Sequence, residues 1–338
     1  TQPITAWGLI GAGIRAYDHM DGVGNRYGVH TVILEVDGEE VFRSVVDRFA
    51  YEENRYINSW THGQYMKSFI EPGNRLRMLH ASNGNRGLVE INEERPYRFV
   101  YTLSDALGNT SKVRFTVQGK NTEIHPVEHR EKYAFKWDRT NYLQEPGLEL
   151  VVLRGMLYDD VWLDYSVRAD SGDVAFTYQL HNKRVPLHGA CEMRIGLRRD
   201  RLEDKSKYYV AGVTARGGKY SIGGTYEDGF MKVRIRDLGT YTVAVDTVPP
   251  EIIPLNPGQW GRTGRITLKA KDKETGINSY RGTIDGKYAL FGKPNSISGN
   301  LVCELDPKHV KKGGRHTVEM TVTDGRGNRT TEEFHFVW

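Results

Sequence analysis

Apolar residues recur along this chain at every second position rather than every third or fourth. The runs "HTVILEV" (30–36), "YRFVYTLS" (97–104), "KVRFTV" (112–117), "VWLDYSVRA" (161–169), "VAFTYQL" (174–180), "MKVRIRDL" (231–238), "RITLKAK" (265–271) and "HTVEMTV" (316–322) all alternate in this way. Successive side chains of an extended strand point to opposite faces, so the pattern predicts half-buried strands. β-branched and aromatic residues fill the runs, and Gly, Asn, Asp and Pro separate them. Long helical periodicity is almost absent, and the expected fold class is all-β.

An internal repeat organises these strands. "FVYTLSDALGNTSKVRFTV" (99–117) matches "VEMTVTDGRGNRTTEEFHF" (318–336), with Asp105-x-x-Gly108-Asn109 on Asp324-x-x-Gly327-Asn328. Upstream and in the same order, "GIRAY" (13–17) matches "GINSY" (276–280), and "VDGEEVF" (36–42) matches "IDGKYAL" (284–290). Asp-Gly supplies the residues that a two-residue hairpin turn requires. Two copies of one antiparallel module are therefore expected, with Asp105 and Asp324 at equivalent turns.

The spacing from Asp37 to Asp105 exceeds that from Asp285 to Asp324, which predicts an insertion near 51–82 in the first copy. "VDTVPPEI" (245–252) ends a β run with two prolines and marks a linker. We expect three β-sandwich modules in series: 1–118, immunoglobulin-like with the insertion; 119–247, a middle sandwich; and 248–338, again immunoglobulin-like.

Gly11-x-Gly13-x-x-Ala16 behind an apolar run, with Glu35 further on, imitates a dinucleotide fingerprint. The residues after Gly13 include Gly22, Gly24 and Gly28 and specify no helix to face a pyrophosphate. The repeat places Gly11 and Gly13 at a turn entering a strand that contains Tyr17, and no nicotinamide cofactor is expected.

The chain has 338 residues and a net charge of +4, with 47 basic and 43 acidic side chains. The excess lies in 248–338, partly in Lys308, Lys311, Lys312 and Arg315, a cluster expected on a solvated turn. Nothing points to nucleic acid. No run approaches the ~20 apolar residues of a membrane span, and the opening residues do not read as a signal peptide. Cys191 and Cys303, one in each of two expected modules, read as buried apolar residues rather than a disulfide framework.

Candidate chemistry is sparse. His125 and His129 have helical metal spacing but no third ligand nearby, and read as part of a polar connector. His181, His188, Cys191 and Glu192 could form a metal set, yet Pro186 and the alternation after it suggest a strand whose neighbours face opposite ways. The pairs Asp159–Asp160 and Glu93–Glu94 do not show convergence across a cleft. Asp18, Asp105, Asp272 and Asp324 could bind calcium at module junctions, or cap their own turns, which is the expectation. No metal, catalytic or cofactor residues are expected in this chain. Tyr51, Tyr56, Trp60 and Tyr65, on the insertion, are the candidate contact surface.

The longer runs "WGLIGAGIRAYD", "YGVHTVILEVDGEEVF", "DRFAYEENRYINSW", "GMLYDDVWLDYSV" and "IRDLGTYTVAVDTVPPEI", with the repeat motifs, resemble one group. It is the non-catalytic part of the lysostaphin-like (LytM-type) zinc metallopeptidases, metallopeptidase family twenty-three, in their Bacteroidetes form. The resemblance covers essentially the whole chain. It implies immunoglobulin-like β-sandwich modules that follow an N-terminal peptidase domain cutting peptidoglycan cross-links. In that family zinc is held by a His-x3-Asp pair and the first histidine of a His-x-His pair. None of the 11 histidines here fits either pattern. The chain alone is therefore not expected to hydrolyse peptides, and zinc is expected only in the missing peptidase domain.

The resemblance implies a cell-envelope location, periplasmic or outer-membrane associated, with the peptidase domain, peptidoglycan or an envelope protein as partner. Two readings stand: an accessory region positioning a cell-wall peptidase, or a free-standing envelope binding protein for glycan or protein.

Overall fold

The computed structural model describes residues 4–169, 174–295 and 298–338. About half of the chain is strand and little is helix, so the protein is all-β, built from several sheets. It divides into two compact units. One comprises Thr1–Asn141, Val152–Leu163 and Val185–Cys191, and the other Tyr142–Val151, Asp164–Arg184 and Glu192–Trp338.

In the first unit a six-stranded sheet runs Ile4–Ala6, Thr110–Gly119, Pro96–Ser104, Thr31–Val36, Glu39–Val45 and Leu79–Ala81. Alternation places Tyr97, Phe99 and Tyr101 from one strand, and Val32, Leu34 and Val36 from its neighbour, in a common core. Direct cross-strand pairs such as Tyr101↔Leu34 bring these side chains onto one face.

In the second unit the order Lys287–Ala289, Ile277–Ile284, Arg315–Asp324, Arg329–Val337 reproduces four strands of that sheet. A three-stranded sheet, Glu251–Pro254, Arg265–Lys271 and Asn300–Glu304, supplies Ile266, Leu268 and Leu301 to a core with Val318, Met320 and Val322. The repeat extends to single hydrogen bonds. Asp37 and Asp285 have φ of 53° and 49°, each followed by a glycine with positive φ, as the predicted hairpin demands. The Asp37 carboxylate accepts from Arg98 N (2.8 Å) and that of Asp285 from Thr317 N (3.0 Å).

One expected correspondence fails. Ile277–Ile284 is a continuous strand paired with Arg315–Asp324, whereas Gly13–Ile14 pairs with Tyr65–Lys67 of the insertion and Tyr17 lies outside any strand. Between Gly13 and the Asp37 hairpin the first copy carries an additional excursion, including the ribbon Asp18–His19/Arg26–Tyr27. The five-residue match is local and does not fix a strand partner. Gly11 and Gly13 serve close packing: a Cβ on Gly11 would collide with the Phe69 ring, and Gly13 lies in register with Lys67. Tyr51–Tyr56 and Ile57–Trp60 are the helical turns nearest after Gly13 among the described residues.

One expected strand run is divided. "VWLDYSVRA" is split into Val161–Leu163 and Ser166–Arg168, which pair with different strands. Cys191 and Cys303 are both buried and form no disulfide, as expected.

Candidate functional site

The insertion near 51–82 contains a 3-10 turn, Tyr51–Tyr56, a short helix, Ile57–Trp60, and the hairpin Thr61–His62/Tyr65–Lys67. Its four candidate aromatics separate. Trp60 is buried in the first core, its Nε1 donating to Lys67 O (3.1 Å). Tyr51 and Tyr65 are exposed. Tyr56 stacks on His188 with ring centroids 4.1 Å apart and meets Tyr158 edge-on. Around it Tyr158 Oη donates to Arg55 O (2.6 Å), and Arg55 Nη2 donates to Leu187 O (2.8 Å). Burial, and secondarily the Arg55 charge, holds the His188 pKa below its ordinary value.

The histidine metal candidates are engaged singly. His129 lies flat on Trp162, with centroids 3.6 Å apart, and His125 is exposed. His181 Nδ1 accepts from Asp164 N (3.1 Å), Glu192 faces Lys232, and Cys191 is buried. Asp105 caps its own turn, accepting from Leu107 N and Asn109 N and from Asn109 Nδ2.

Asp272 and Asp324 do come together, and Asp246 joins them. One oxygen from each lies within 4.8 Å of the others. Asp324 Oδ1 accepts from Arg326 N (2.8 Å) and Asn328 N (2.9 Å), while Oδ2 accepts from Asn328 Nδ2 (2.8 Å). Asp272 Oδ2 accepts from Glu274, Thr275 and Gly276 N. Asp246 accepts from Thr275 Oγ1 (2.5 Å) and Val248 N (3.2 Å), and Asn328 Nδ2 also donates to Asp246 O (3.0 Å).

Burial raises the Asp246 pKa, and the Asp272 and Asp324 charges act in the same direction. Oxygen ligands of one calcium ion, each about 2.3–2.6 Å from it, lie within about 5 Å of each other, so these three residues could hold such a cation. Asp246 was missed from sequence because it sits in the "VDTVPP" linker, outside the repeated turns.

A second site is a cleft of about 610 Å³ on the five-stranded sheet Ser166–Arg168, Thr177–Gln179, Thr240–Val245, Tyr208–Val213 and Lys219–Gly223. The register aligns Ser166↔Gln179, Gln179↔Thr240 and Thr240↔Val213, so one cross-strand row supplies the floor. The turns beyond it contribute Asn182, Lys183 and Arg184, and Tyr220 closes one side. Arg168, Lys183 and Arg184 line the cleft, and among the described residues no carboxylate does. Asp237, just outside, holds Arg184 at 2.5 Å and accepts from Tyr241 Oη at 2.8 Å. The arrangement presents amide, hydroxyl and cationic groups beside an aromatic ring, which suits a polar ligand with some negative charge. Sequence reasoning did not find it, because its residues come from five strands and share no spacing.

Among the described residues no helix is long and apolar enough to cross a membrane. The Zu5-like domain family matches residues 132–246, a range that contains every residue lining the cleft. No curated protein matches the chain. Among solved structures the chain is similar to the Bacteroides ovatus mixed-linkage glucan utilization locus protein SGBP-B, in complex with a mixed-linkage heptasaccharide. Identity is 11%, with 99% of this chain and 66% of that one covered and a TM-score of 0.16. It is also similar to a 1.5-MDa bacterial ice-binding adhesin (8% identity, 93% and 87% covered, TM-score 0.16). A third is the Ca2+-stabilized adhesin of an Antarctic bacterium (11%, 91% and 89%, TM-score 0.18).

Proposed function

We propose that this chain is a binding protein of the cell envelope or exterior that holds a glycan in the cleft of its Zu5-like segment. The cleft carries the reading. Its volume of about 610 Å³ is that of a small-molecule site, and its lining is rich in hydrogen-bonding groups set on a rigid sheet. A protein partner would instead be met by a central apolar or aromatic anchor cluster. The immunoglobulin-like modules act as scaffold.

The LytM-type resemblance of the long sequence runs supports a second reading, in which the same cleft tethers a peptidase domain of the parent chain to peptidoglycan. A His-x3-Asp and His-x-His domain encoded just before Thr1 would favour it; an upstream sequence without one would remove it.

The test applies the full chain to immobilised polysaccharides and to pelleted peptidoglycan. Retention on at least one glycan, lost in a folded Gln179→Ala, Asn182→Ala double variant, is expected. No retention, or retention indifferent to the double variant, would overturn the proposal.

A further inference from the structure

We infer that the glycan taken by this cleft is acidic: a saccharide bearing carboxylate or sulfate, with one sugar ring on Tyr220 and its anion beside Arg184. This rests on the binding reading above and adds the ligand class.

Tyr220 is paired across the sheet with Gly212, and a Cβ on Gly212 would collide with the Tyr220 ring. The absent side chain at 212 is what lets the ring lie against the neighbouring strand. Tyr220 remains 38% exposed and lines the cleft. A fixed, exposed aromatic face of this kind packs against the C–H face of a sugar ring at little entropic cost.

The cation beside it is fixed too. Arg184 is held by Asp237, whose other oxygen accepts from the buried Tyr241 hydroxyl, and the guanidinium carbon lies 6.0 Å from the Tyr220 centroid. A guanidinium has five N–H donors in a planar fork, so the bond to Asp237 leaves donors for a second anion.

Lys183 and Arg168 add two further positive charges on the same lining, and no ion pair among the described residues engages either. Among the described residues, the three cations on the lining outnumber the Asp237 carboxylate that holds Arg184, which leaves this part of the cleft positive. Gln179, Asn182, Ser166 and Thr240 supply neutral donors and acceptors for hydroxyls. A neutral sugar would leave the cations without a partner, whereas an acidic one uses ring, cation and amides together.

The test is calorimetric titration of the full chain with trigalacturonate, a heparin-derived tetrasaccharide and a neutral mixed-linkage glucan heptasaccharide. Salt is set at about 50 mM and about 500 mM, which shortens electrostatic reach from beyond 10 Å to a few Å. At low salt an acidic probe should bind at least about tenfold tighter than the neutral one, with the margin collapsing at high salt. The two acidic arms separate carboxylate from sulfate. Gly212→Ala, which displaces the ring without removing it, should weaken binding as Tyr220→Ala does, while Tyr220→Trp retains it and Arg184→Gln loses the acidic preference.

Equal, salt-insensitive binding of the neutral heptasaccharide would overturn the acidic assignment and leave the glycan-binding function standing. Binding to none of the probes, alongside retention on another glycan, would overturn the assignment alone. Absence of any glycan binding would overturn both. Wild-type affinity in Gly212→Ala and Tyr220→Ala would remove the ring platform.

Discussion

The carboxylate cluster at Asp246, Asp272 and Asp324 and the cleft around Tyr220 and Arg184 both gather polar groups from distant parts of the sequence, but they are finished differently. In the cluster the chain itself satisfies the carboxylates, through Arg326 N, Asn328 N, Asn328 Nδ2, Thr275 Oγ1 and a row of loop amides. Asp246 and Asp324 are almost wholly buried. In the cleft, Lys183, Asn182 and Tyr220 face solvent, and Arg184 is fixed by one partner with donors to spare. Groups completed by their own turns are accounted for by folding. Groups held rigid and left open are accounted for by a ligand. Changes in the cluster should therefore move stability and spare binding, and changes in the cleft should do the reverse.

The largest effect is expected at Asp324. Asp324→Ala strands two backbone amides and the Asn328 amide in a buried site, a loss of about 2–4 kcal/mol. Asp105 makes the same bonds on an exposed turn, so Asp105→Ala should shift the melting curve several-fold less. Differential scanning calorimetry of the two variants checks this, and equal losses would show that burial does not distinguish the two turns.

Asp246→Asn should act in the opposite direction. The folded state favours protonated Asp246, so this group's stabilising contribution is complete below the unfolded value near 3.8 and is lost as pH rises through the higher folded value. In chelator at neutral pH the asparagine variant should melt higher than wild type. Its advantage should vanish below pH 4. A lower melting temperature across the whole range would mean that the carboxylate's hydrogen bonds outweigh its charge.

Much of this fold was legible because its determinants are local. Alternation in "YRFVYTLS" put Tyr97, Phe99 and Tyr101 on one face, and Asp-Gly and Asp-x-x-Gly-Asn turns dictate their own hydrogen bonds. "GIRAY" misled because strand pairing is a tertiary choice, and the extra residues after Gly13 take that segment to the insertion. The sites were less legible for the same reason. Asp272 and Asp324 were visible as turn residues, but only folding brings Asp246 to them. Tyr56 was singled out with three other aromatics, and nothing in the spacing distinguished the ring that meets His188 from Trp60 in the core or Tyr51 in solvent. Ser166, Gln179, Thr240 and Val213 form one row only through the register of four strands.

A small effect sharpens the contrast further. Gly212→Ala introduces one methyl against a Tyr220 ring that borders solvent and can be displaced outward, so its melting temperature should stay within about 2–4 °C of wild type. A large loss would mean that the ring is part of the sheet's packing rather than a surface presented to ligand.

The most direct measurement is a trigalacturonate binding isotherm for the full chain carrying Arg168→Glu and Lys183→Glu, two changes at exposed positions that leave the Arg184–Asp237 pair intact. An unchanged melting temperature with affinity reduced at least about tenfold relative to wild type is the predicted result. An isotherm indistinguishable from wild type in that folded variant would contradict the assignment of the cleft as the acidic-saccharide site.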